Sequence, residues 1–141
     1  MNDMEIKDEF DMNIEARRLE TFTDWPFNED CQCTPAKLAE AGFYHCPSDQ
    51  EPDLVRCYVC HKELDGWAPE DEPWSEHVSH SKACPFVLLK KNENRMTMEE
   101  FLKLETERQC WKLNKEVKSR IEEYKMQAKD VREEMEKLVN V

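Results

Sequence analysis

The stretch CYVCHKELDGW, residues 57–67, holds two thiols three positions apart, a carboxylate at Asp65 and an indole at Trp67. A Cys-x-x-Cys pair is either a redox couple or half of a metal site. Downstream lie His77 and Cys84, so the full series reads Cys57-x2-Cys60-x16-His77-x6-Cys84. Two thiolates on a tight turn, then an imidazole and a third thiolate from a later element, close a tetrahedron around zinc. Four protein ligands leave no open position, so the expected single Zn2+ is structural; a hydrolytic zinc keeps one position for water. The redox reading lacks the βαβ pattern that surrounds thioredoxin-like pairs. His45 and Cys46 adjoin the series but are read as strand residues. Cys31, Cys33 and Cys110 are read as buried or inert thiols.

Charge narrows the partners. Residues 1–97 carry 21 Asp/Glu against 10 Lys/Arg, and residues 98–141 carry 11 against 10. The acidity therefore belongs to the N-terminal two-thirds. An acidic field repels phosphate backbones and favours basic partners, so direct nucleic-acid binding is not expected. The N-terminus, MNDMEIKDEF, lacks the apolar core of a secretory signal, and no run reaches the roughly 18 apolar residues of a membrane span. The expectation is a cytosolic or nuclear chain with reduced thiols. The odd count of seven cysteines argues the same way.

All seven prolines fall between Pro26 and Pro85, and the two glycines are Gly42 and Gly66. Residues 1–14 read as an arm, with Ile6 and Phe10 on one face if helical. Thr34-Pro35 predicts an N-cap with proline in the first turn, and Gly42 a stop. GFYHC and VRCYVC predict short strands. Pro73, after an acidic N-cap region, predicts a helix through His77 and His80. Thr97 and Glu100 form a capping box, with Met96 and Phe101 as its staple. Beyond it, apolar or small residues recur at Cys110, Leu113, Val117, Ile121, Tyr124, Ala128, Val131, Met135 and Leu138, a heptad-like seam. Glu99/Lys103, Glu116/Arg120 and Glu133/Lys137 are in the favoured i,i+4 order. A helix from 98 to about 139 is roughly 60 Å long, more than the preceding module can cover, so the seam needs another chain. The predicted divisions are 1–14 (arm and dimer contact), 15–88 (zinc domain), 89–97 (linker) and 98–141 (long helix for bundle assembly).

Arg18, Thr21, Phe22, Trp25-Pro26, AEAGF ending at Phe43, Cys46-Pro47, Cys57-x2-Cys60, Gly66-Trp67, His77 and Cys84 together resemble the baculoviral inhibitor-of-apoptosis repeat, the BIR domain. One such repeat, a long C-terminal helix, EPDL, KEL and EEFLKLE are similar to the single-repeat branch of that family. The resemblance implies an α+β fold: a short three-stranded antiparallel sheet with small helices around the zinc, then one long α-helix. It implies no enzyme but an adaptor of the chromosomal passenger complex, with INCENP, borealin and Aurora B kinase. Such an adaptor reads the histone H-three tail phosphorylated on threonine three. The implied localisation is nucleus and cytoplasm, with centromere and kinetochore early in mitosis and spindle midzone and midbody later. The alternative it implies is direct or indirect inhibition of caspases, or capture of Ala-first antagonist peptides in the same groove. A ubiquitin ligase of this family needs a second Cys/His-rich block, and beyond Cys84 there is only Cys110.

Physics supports a groove beside the zinc. A peptide N-terminus is an ammonium that needs carboxylates and a flat apolar wall, which Asp65, Asp71 and Trp67 offer. Lys62 and His80 suit a phosphate on a later residue. The bland alternative is a solvated acidic loop beside a core tryptophan. The resemblance also places a homodimer contact at Ile6, Phe10, Met98, Phe101 and Leu102, with Glu93 standing where an aromatic is expected. Thr34-Pro35 matches a proline-directed phosphorylation pattern, although capping explains it equally.

Overall fold

Proline and glycine set where this chain is regular. The computed structural model describes residues 9–91 and 93–140. After a helical turn at residues 9–11 come α1 (Glu15–Glu20), α2 (Pro35–Glu40), β1 (Phe43–His45), β2 (Val55–Cys57), β3 (Glu63–Leu64), α3 (Pro73–His80), α4 (Pro85–Leu89), a 3-10 turn (Glu93–Arg95) and α5 (Met98–Val139). Helices α2, α3 and α4 each begin on proline, whose fixed φ suits the first turn. Thr34 caps α2, accepting from the Lys37 N–H at 3.4 Å. Glu72 caps α3, accepting from the backbone N–H groups of Trp74 and Ser75 at 3.3 and 2.8 Å. Gly42, just past α2, has a φ of +92°. A Cβ there would meet the Phe86 ring at 2.8 Å, so both backbone and packing require glycine.

The sheet is antiparallel throughout, in the order β1-β2-β3. Phe43 pairs with Cys57, Tyr44 with Arg56 and His45 with Val55; Arg56 then pairs with Glu63 across β2 and β3. Alternation puts Phe43, His45, Val55 and Cys57 inside, while Tyr44 and Arg56 face out. The strand expected over VRCYVC ends at Cys57, because the next residues turn back. The His61 N–H donates to the Cys57 carbonyl at 3.0 Å, and His61 has a φ of +59°. Phe86 joins the helices to this core, stacked on Trp74 with centroids 5.3 Å apart and edge-on to Tyr58 at 5.4 Å.

The capping box at the start of α5 is present in both directions. The Thr97 N–H donates to Glu100 Oε2 at 2.9 Å, and the Glu100 N–H to Thr97 Oγ1 at 3.2 Å. The chain divides into two compact units, Met1–Arg108 and Gln109–Val141. In the first, Leu104 and Arg108 are the buried residues of α5, and Arg108 forks onto both Glu105 oxygens at 2.7 Å. Ile6 lies outside the described residues. Phe10, Met98 and Leu102 are exposed, and Phe101 is half-buried. In the second unit none of residues 109–140 is buried, and the whole predicted seam faces out. Arg120 pairs with Glu116 as expected, at 3.4 Å. Lys137 instead takes Glu134 at 2.6 Å, leaving Glu133 with Lys129 at 3.8 Å. Spacings of three and four are both neighbours on a helix, so adjacent glutamates compete for one lysine. No helix among the described residues is long and apolar enough to cross a membrane.

Candidate metal centre and peptide cleft

The four residues of the opening series meet. Cys57, Cys60, His77 and Cys84 are buried, with ligand atoms all within 4.8 Å of one another. A zinc–sulfur bond of about 2.3 Å places tetrahedral sulfurs about 3.8 Å apart. Cys57 Sγ and Cys84 Sγ are 3.9 Å apart, and Cys60 Sγ lies 3.8 Å from His77 Nε2. The set fits zinc in type, number and spacing. Cys57 ends β2, Cys60 closes the turn after it, His77 projects from α3, and Cys84 is the residue that opens α4.

Surrounding groups orient the ligands. His77 Nδ1 lies 2.7 Å from the Ala41 carbonyl, which only accepts, so Nδ1 carries the proton and Nε2 offers its lone pair to the cluster. The Val59 N–H donates to Cys57 Sγ at 3.4 Å, and Ser81 Oγ to Cys60 Sγ at 3.3 Å. As protein groups alone, the thiols resist ionising together. Burial, then hydrogen bonds to Cys60 and Cys84, pushes Cys57 well up. Hydrogen bonds from Cys57 and Cys84 hold Cys60 well below the ordinary thiol value despite burial. At Cys84 the bond from Cys57 acts downward, but donation to Cys60 and burial outweigh it, and the thiol is pushed up to about 12. A divalent cation held by Cys57, Cys60, His77 and Cys84 would supply the charge that lets all three thiols ionise.

A cleft of about 370 Å³ opens beside this centre, lined by Lys62, Glu63, Leu64, Asp65, Gly66, Trp67, Asp71, Glu76 and His80. All five residues singled out in the sequence line it together. Both of its walls hang from members of the Cys/His cluster. The Cys57 N–H donates to the Lys62 carbonyl at 3.0 Å, and Glu76 and His80 share α3 with His77. Gly66, with φ +70°, turns the chain from β3 toward Trp67. The Trp67 N–H is held by Asp53 Oδ2 at 2.8 Å, and its ring meets Phe43 edge-on at 6.0 Å. Its indole Nε1 is buried with no acceptor among the described residues. Asp71 Oδ2 accepts from the Ala68 N–H at 2.7 Å, which fixes the carboxylate and leaves Oδ1 out of that bond. The loop is stitched to the chain before α2 by Gln32 N–H to the Pro69 carbonyl at 2.7 Å.

Sequence reasoning missed Glu63, Leu64 and Glu76. Glu76 lies 3.4 Å from His80, an i,i+4 pair that helical spacing could have found once α3 was placed. Four carboxylates against Lys62 make the cleft acidic, so it favours a cationic end group. Thr34 sits elsewhere, at the cap of α2.

Residues 18–88 match the BIR, or Inhibitor of Apoptosis, domain. The chain is 50% identical over 137 residues to Baculoviral IAP repeat-containing protein 5.2 of Xenopus tropicalis, covering 97% of this chain and 88% of that protein. It is 46% identical over 127 residues to Baculoviral IAP repeat-containing protein 5 of Rattus norvegicus, covering 90% and 89%. A solved structure of DIAP1 BIR1 bound to a Grim peptide shares 34% identity, covers 62% of this chain and 82% of that one, and has a TM-score of 0.48.

Proposed function

The chain belongs to the inhibitor-of-apoptosis family, on its single-repeat, survivin-type branch, and from that membership we propose a non-enzymatic adaptor that reads a peptide N-terminus. The family is apoptosis-related and generally works through binding rather than catalysis. The finer reading is a chromosomal passenger subunit that reads the histone H-three tail phosphorylated on threonine three. Its long helix joins INCENP and borealin, and so brings Aurora B kinase to centromeres for chromosome segregation and cytokinesis. The observation that carries it is the convergence of Lys62, Asp65, Trp67, Asp71 and His80 on one acidic cleft.

In this reading the ammonium sits against Asp71 and Asp65, with the first side chain on Trp67. The phosphate lies between Lys62 and His80, where charge-assisted hydrogen bonds hold it. The zinc domain of 15–88 does the reading, and 98–141 does the assembling through its exposed seam. Calorimetry with a threonine-phosphorylated tail peptide tests this. Asp71→Ala abolishes binding while zinc content and near-ultraviolet spectrum stay unchanged; unaltered affinity contradicts the assignment.

The second reading, regulation of apoptosis through the same cleft, is favoured by the acidic end-group pocket, which does not itself require phosphate. An Ala-first antagonist peptide then competes with the histone tail. A purified caspase assay separates direct inhibition, which is stoichiometric at sub-micromolar concentration, from sequestration, which leaves caspase activity unchanged. The exposed Phe10, Met98 and Leu102 support self-association of the free chain. Light scattering of Phe101→Ala reports a weakened dimer if they meet a second copy there, and an unchanged one if they do not. Thr34 is retained as a phosphorylation candidate, testable by kinase assay, and localisation to nucleus, cytoplasm and mitotic centromeres by imaging of the tagged chain.

A further inference from the structure

In the second unit the two borders of the α5 seam carry different charge. From Val117 to Leu138 the seam residues keep a strict heptad spacing, and Val117, Ile121, Tyr124, Val131, Met135 and Leu138 are exposed. Lys118, Lys125 and Arg132, seven apart, run along one border. Arg120, Gln127 and Glu134, also seven apart, run along the other.

The second border is neutralised within its own helix. Arg120 Nη2 lies 3.4 Å from Glu116 Oε1, and Lys137 Nζ lies 2.6 Å from Glu134 Oε1. The first border is not. Among the described residues Lys118 and Arg132 have no ion-pair partner. Lys125 has only Glu122, at 3.6 Å, with both side chains about two-thirds exposed. A recess of about 500 Å³ lies on the same seam, where Ala128 is small between larger neighbours. Val131, Met135 and Val139 line it, together with Arg132 and Glu136.

A second copy of the chain does not satisfy the basic border. In a parallel pair, a flanking residue faces the one five positions further on in its partner. That sets Arg120 against Lys125 and Gln127 against Arg132. In an antiparallel pair each border meets its own kind, so Lys118, Lys125 and Arg132 face the same three cations. Either arrangement brings like charges together, which is destabilising.

We propose that the seam is occupied by a helix of a different chain, with a large apolar side chain for the recess at Ala128 and Asp or Glu at the flanking positions that meet Lys118, Lys125 and Arg132. This rests on the assembly role proposed for 98–141 and adds the chemistry of the partner. The same charges keep a second copy off the seam, so self-association of the free chain is left to the first unit.

Two synthetic four-heptad helices with the same Ile/Leu seam, one flanked by Glu and the other by Lys, test the proposal against the full zinc-loaded chain by calorimetry. The Glu-flanked helix binds about tenfold or more tightly than the Lys-flanked one in dilute buffer. The ratio shrinks as salt is added. The triple variant Lys118→Glu, Lys125→Glu, Arg132→Glu, changed only at exposed positions, reverses the order. Equal binding of the two helices overturns the flank chemistry while leaving the seam as an assembly surface. Binding of neither overturns the assembly role as well. Sedimentation velocity covers the remaining occupant: self-association of the parent chain that Val131→Glu abolishes places a second copy on the seam and overturns the proposal.

Discussion

Gly42 and Gly66 both have positive φ, at +92° and +70°, but only Gly42 is packed against anything. Alanine at Gly66 meets open space and bears the backbone term alone, about 1 kcal/mol. Alanine at Gly42 bears that term and must also displace Phe86, for a loss of about 2–4 kcal/mol. Urea denaturation of the two variants gives this order; equal losses would show that the Phe86 contact yields without cost. At the same scale, the Cys/His cluster was legible because thiol and imidazole types at fixed spacing leave few alternatives. Their supports were not legible. The Ala41 carbonyl that sets the His77 tautomer is a backbone atom, and no side chain signals it. From sequence Glu93 stands only where an aromatic is expected at the dimer contact, because nothing in its neighbourhood along the chain reveals that it pairs with Arg18.

The elements obey their ends more than their interiors. Three short helices begin on Pro35, Pro73 and Pro85, and α5 begins on a reciprocal box between Thr97 and Glu100. Thr97→Ala removes one cap bond and costs about 1 kcal/mol. Hydrogen exchange should show faster exchange confined to the first turn of α5, with the amides near Leu113 unchanged. Acceleration along the whole helix would mean that the box nucleates the helix rather than capping it. Such boundaries were readable because caps have local side-chain signatures. Strand β3 was not: Glu63–Leu64 is two residues long, too short for alternation to register. Only the family resemblance supplied a third strand. The pairing of Lys137 escaped for a related reason, since Glu133 and Glu134 both lie within helical reach of it.

At the scale of the molecule, the zinc domain and the distal helix solve burial differently. The first unit collects its apolar residues around a buried Cys/His cluster that fits zinc, which so small a domain with a marginal core calls for. The second leaves Leu113, Val117, Ile121, Tyr124, Val131, Met135 and Leu138 exposed along one seam. The centre also shapes the cleft, since Lys62 hangs from Cys57, and Glu76 and His80 ride on the helix that supplies His77. In the proposed function, metal binding, folding of the first unit and peptide reading are therefore one linked equilibrium. Native mass spectrometry paired with peptide calorimetry, on the parent chain and Cys84→Ser, measures that linkage directly. The parent carries one zinc and binds the phosphorylated tail, while Cys84→Ser loses the metal, the near-ultraviolet signal of the buried tryptophans and peptide binding together. A metal-free chain that keeps that signal and still binds the peptide would contradict the account.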